Sequence, residues 1–96
     1  GNGWNNSNVT VPFTGSDDFE SVVSRIGYPD SSRSRPSDEG AFYLLRYPDR
    51  GFTVVLLGGD RAHAMYVGAL GRGGRVVHSV MLSNGQDSTG LLTRLR

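Results

Sequence analysis

The chain has 96 residues, ten basic and nine acidic side chains, a formal net charge of +1 and no cysteine. A domain of roughly 100 residues buries only about 60–70% of its unfolded surface, so one domain with one core is expected and a large internal cavity is not. Near-neutral charge gives no basic stripe to follow phosphates, no apolar run approaches the roughly 18 residues of a spanning helix, and the lack of cysteine removes disulfides, thiolate nucleophiles and cysteine zinc sites.

The opening, GNGWNNSNVTVP, is rich in Asn, Gly and Ser and reads as a flexible lead over residues 1–14. It has neither a charged n-region nor an apolar h-region, which fits a mature sequence whose secretion or lipoprotein signal lay upstream, the alternative being a shortened cytosolic protein. Residues 15–96 are then one domain.

The first element is FESVVSRI. Phe19, Val22, Val23 and Ile26 fall at i, i+3, i+4 and i+7, one stripe of an amphipathic helix. Ser16 or Asp17 is placed to cap its start, and the acidic residues 17, 18 and 20 suit the positive helix end. Gly27 supplies a left-handed terminus, and Pro29 cannot continue the helix. The next stretch, SSRSRPSDEG at residues 31–40, is polar and turn-rich and reads as a solvated loop, with Arg33, Arg35, Asp38 and Glu39 as a possible recognition cluster.

From Ala41 the pattern changes to AFYLLRY, GFTVVLL, AHAMYVGAL and RVVHSVML, separated by glycine-bearing turns. Aromatic and β-branched runs between such turns predict a four-stranded antiparallel meander. With turns centred at 49–50, 59–60 and 73–74, alternation puts Tyr43, Leu45, Tyr47, Phe52, Val54, Leu56, Met65, Val67, Val80 and Leu82 on the face that receives the helix. Phe42, Leu44, Arg46, Thr53, Val55, Leu57, Ala64, Tyr66, Gly68, Val77, Ser79 and Met81 then share the opposite face. The tail carries Leu91, Leu92 and Leu95 after a cap at Asp87 or Ser88, which favours a short terminal helix over an edge strand. The predicted fold is α+β, with an N-terminal helix on one face of the sheet.

The order of elements also resembles a known group. Val22, the run Ile26-Gly27-Tyr28-Pro29-Asp30, the run Leu45-Arg46-Tyr47-Pro48-Asp49-Arg50-Gly51-Phe52 and the following Val54-Val55-Leu56-Leu57 are similar to the small outer-membrane lipoprotein domains related to BamE, and more distantly to the half-domains of β-lactamase inhibitor protein. The similarity spans residues 16–70. It implies a helical layer on an antiparallel sheet and a non-enzymatic cell-envelope module that binds another protein. It also implies a periplasmic or outer-membrane-associated location after export, with any lipid anchor upstream of this sequence.

The remaining chemistry is sparse. His63 and His78 are the candidate bases or ligands, but a metal site needs three or four ligands and no acidic cluster adjoins them, so no metal or cofactor is expected. Gly71-Arg72-Gly73-Gly74 lacks the spacing and lysine of a phosphate loop and reads as a hairpin turn. Ser79 and Ser83 have no strand–turn–helix elbow around them. The apolar second face is more informative: either the chain's own tails cover it, or a protein partner or second subunit does, with Phe42, Arg46, Tyr66 and Met81 as the interface residues. The rival reading is a small ligand-binding or hydrolytic domain with His63, His78 and Arg46 in a cleft between the sheet and loop 31–40.

Overall fold

A computed structural model describes residues 11–82, 85 and 87–95. It contains helix α1 (Phe19–Ile26), strands β1 (Ser31–Ser37), β2 (Gly40–Tyr47), β3 (Phe52–Gly58), β4 (Met65–Leu70) and β5 (Val76–Ser79), and helix α2 (Thr89–Thr93). The strands form one antiparallel sheet in the order β1-β2-β3-β4-β5. The α+β layering and the meander agree with the sequence reading. The strand number is five among the described residues, not four.

The added strand is the segment expected to be a loop. β1 pairs with β2 from Ser31↔Arg46 to Ser37↔Gly40, so only Asp38 and Glu39 separate the two strands. Its sequence gave no strand signal because Ser32 to Pro36 are exposed on both sides. Period-two alternation marks a strand only when one of its faces is buried. β1 instead forms because the outer side of β2 offers unpaired backbone groups, and these are costly to leave without partners.

α1 starts one residue later than the predicted caps. Asp18, not Ser16 or Asp17, is the N-cap, and its Oδ1 accepts from the Ser21 N–H at 2.9 Å and from the Ser21 hydroxyl at 3.0 Å. Those bonds hold the Asp18 carboxyl below the usual carboxylate range. Asp17 serves the sheet: its carboxylate accepts from the Thr14 N–H at 2.8 Å, and its carbonyl accepts from the Tyr66 N–H at 2.8 Å. The helix ends at Gly27, with φ at 85°, as the sequence predicts. The Tyr47 hydroxyl, reaching up from β2, donates to the Gly27 carbonyl at 2.8 Å. The Gly-Tyr-Pro-Asp exit therefore turns the chain into β1 while one tyrosine ties the helix end to the sheet.

Val22 is fully buried, with Phe19 and Ile26 packed beside it on a core of Leu45, Tyr47, Phe52, Val54, Leu56 and Tyr66. Phe13 belongs to the same core at 3% exposure, its ring 5.5 Å from that of Tyr66. The end of the predicted lead is thus part of the fold, and residues 1–10 lie outside the described residues.

Much of the second face is covered by the chain itself. Leu92 and Leu95 pack with Phe42, Val55, Val67 and Leu70. Ser88, completely buried, fastens the start of α2: its hydroxyl donates to the Val67 carbonyl and accepts from the Val80 N–H at 3.1 Å. Gly68 lets the helix come down, for a Cβ there would lie 2.3 Å from Leu92 Cδ1 and 2.6 Å from the His78 carbonyl oxygen.

Candidate functional site

The four residues expected at an interface do not form one patch. A register shift between Val55 and Leu56 pairs Val55 with Gly68 and Leu56 with Tyr66, leaving Val67 as an extra residue on β4. A β-bulge of this kind reverses alternation across it. Tyr66 therefore points into the α1-side core at 1% exposure, and Val67 joins the α2-side cluster, each opposite to the sequence expectation. Phe42 does lie on the second face, but at 8% exposure it is buried in the cluster that holds Leu92 and Leu95. Arg46 and Met81 are exposed.

The constellation of the rival reading is likewise not assembled. His63 sits in the β3–β4 connection, exposed, with Nδ1 2.8 Å from Asp60 Oδ1; these contacts hold the Asp60 carboxyl below its ordinary range. His78 pairs with Ala69, as a turn centred at 73–74 implies, and its Nδ1 is 2.7 Å from the Tyr66 hydroxyl. Burial, reinforced by the negative Asp17, pushes the Tyr66 phenol far above the ordinary tyrosine range. The phenol keeps its proton, and its oxygen and His78 Nδ1 share one hydrogen bond. Arg46 projects on the opposite side of the sheet, paired with Thr53. The segment 31–40 expected to wall that cleft is strand β1 and its turn into β2. Among the described residues no group of three or more His, Cys, Asp or Glu side chains is placed to hold a metal.

What the fold does offer is an edge. Among the described residues β1 is hydrogen-bonded on one side only, with seven residues, five of them consecutively exposed. The opposite edge, β5, has four residues, all half-buried, and its continuation through Val80 is bonded to Ser88. A strand accepts proline where the nitrogen faces away from the ladder, so Pro36 turns its own nitrogen outward and, by alternation, the N–H and C=O groups of Ser32 and Ser34.

The register sets Arg33 beside Leu44 and Arg35 beside Phe42, which places both arginines on the α2 side. Arg35 donates to the Leu95 carbonyl at 3.1 Å and so joins the edge to the end of α2. Arg33 has no carboxylate within ion-pairing distance among the described residues. Sequence reasoning found these arginines as a charge cluster but placed them in a loop. The signal that marks the strand is positional: a Pro-Asp exit before it, a two-residue Asp-Glu turn after it, and basic side chains at every second residue.

The fold and edge define a small α+β domain, a five-stranded meander held between an N-terminal and a C-terminal helix. Compared with known proteins, the chain matches no family model, no curated protein and no solved structure. Among the described residues, no helix is long and apolar enough to cross a membrane.

Proposed function

We propose that this domain is a non-enzymatic protein-binding module that takes an extended, acidic segment of a partner as an additional strand along β1. The observation that carries this reading is the one-sided pairing of β1, exposed along its length, with Arg33 and Arg35 at alternate positions. Main-chain hydrogen bonds to Ser32 and Ser34 supply affinity, and alternate side chains supply specificity. A second copy is the weaker occupant: edge-to-edge pairing brings arginines of like charge close together, which disfavours it, whereas Asp or Glu on the incoming strand is favoured. A location in the cell envelope belongs to the same proposal and rests on the motif resemblance of residues 16–70 alone, to which no family model or solved structure adds.

Selection from a displayed library of random peptides tests the proposal. Acidic peptides are expected to emerge, and on binding to shift the amide resonances of Ser32 and Ser34. Ser34→Pro removes one outward donor and obstructs the incoming strand while leaving the β1–β2 ladder intact, so binding is lost with an unchanged circular dichroism spectrum. Peptides that bind Ser34→Pro as well as the parent, or a selection with no acidic preference, overturn the reading.

A further inference from the structure

A second feature lies at the end of the sheet, where the 3-10 turn Pro48–Arg50 after β2 and the 3-10 turn Arg72–Gly74 after β4 flank an open cleft of about 290 Å³. Arg46 from β2 and Arg72 from the second turn both line it, together with Thr53 and the glycines 71 and 73, over a floor that includes Leu70. Arg46, Thr53 and Leu70 are successive partners in one row across β2, β3 and β4, so the first wall is set by sheet register. Arg72 follows two residues after Leu70 and closes the cleft from another element.

No acidic side chain lines the cleft, and neither arginine has a carboxylate within ion-pairing distance among the described residues. Two arginines lining one concave space bring like charges to it, and an anion held between them converts that repulsion into two attractions. The guanidinium fork matches the paired oxygens of carboxylates and phosphates, and a threonine hydroxyl can donate alongside it. The volume lies at the small end of ligand sites, which suits a compact ligand and not an extended chain.

We infer that the cleft between Arg46 and Arg72 is an oxyanion site that takes the carboxylate or phosphate group of a small ligand. It is separate from the β1 edge and does not depend on strand addition there. Neither arginine is buried, so each can be replaced by glutamine without disturbing the core.

The test is a nuclear magnetic resonance titration with inorganic phosphate and, separately, with succinate, at constant ionic strength set by chloride. Saturable shifts are expected at Thr53, Gly71 and Gly73, and the tighter of the two probes identifies the phosphate or the carboxylate source. Arg46→Gln and Arg72→Gln should each weaken binding by about tenfold or more, and Ser34→Pro should leave it unchanged. Shifts that do not saturate, that are as large at Arg33 and Arg94 as in the cleft, or that persist with parent affinity in both glutamine variants overturn the inference.

Discussion

The two faces of the sheet are covered by unequal helices, and the difference decides where the protein can meet anything else. On one side α1, eight residues long, works with Phe13 to enclose Leu45, Tyr47, Phe52, Leu56 and Tyr66. On the other, α2 has five residues and docks against β4 and β5. Along β2 its cover runs out by steps: Phe42 is buried, Leu44 is half-buried and Arg46 is exposed, although all three project to the same side. A short cover thus leaves the β1–β2 end of this face to solvent, and the residues standing there are arginines.

The comparison breaks if α2 is ornament and not half of the core. Leu92→Ala and Leu45→Ala each delete a fully buried side chain, one per face. Both should cost about 2–5 kcal/mol in urea denaturation. A loss at Leu45 with none at Leu92 would make the protein one-sided. A smaller effect, about 1–3 kcal/mol, is expected for Gly68→Ala, which forces a methyl group against Leu92 and the His78 carbonyl. The two variants share one contact and should be non-additive, Leu92→Ala relieving part of the cost of the new methyl. The backbone clash with His78 keeps that relief incomplete.

The finest distinction concerns ionisation on the α1 side. Tyr66 has its folded-state value raised by burial and by Asp17, so its protonated form is the one the fold stabilises. The corresponding stability is complete below the unfolded tyrosine value of about 10 and is lost as pH rises through the higher folded value. Alkaline unfolding followed by circular dichroism should therefore begin only above about pH 10 and coincide with the phenolate absorbance of Tyr66. In Tyr66→Phe that part of the pH dependence should disappear. Ionisation of Tyr66 well before unfolding would contradict the burial described here.

The sequence alone specifies α1, its end at Gly27 and the β2–β3 register, in which Tyr47 pairs with Phe52 and Tyr43 with Leu56. Those features rest on local chemistry: a 3.6-residue stripe, a glycine before a proline, and a tight turn between two alternating runs. The facing of Tyr66 and Val67 was not legible. It turns on a one-residue bulge, and the six-residue connection from β3 to β4 allows several registers with similar local preferences. The candidate edge escaped for a different reason: Ser and Arg side chains carry no burial pattern, so only the neighbouring strand reveals that they are extended.

Composition and periodicity by themselves determined a single α+β domain with a helix on an antiparallel meander, because apolar spacing is written residue by residue. Only the tertiary structure decided that α2 covers the β4–β5 part of the second face, that Tyr66 and Phe42 are core, and that β1 lies at the rim. Each of those outcomes depends on which distant segments share a surface, and that is settled by packing around Gly68 and by backbone groups seeking partners.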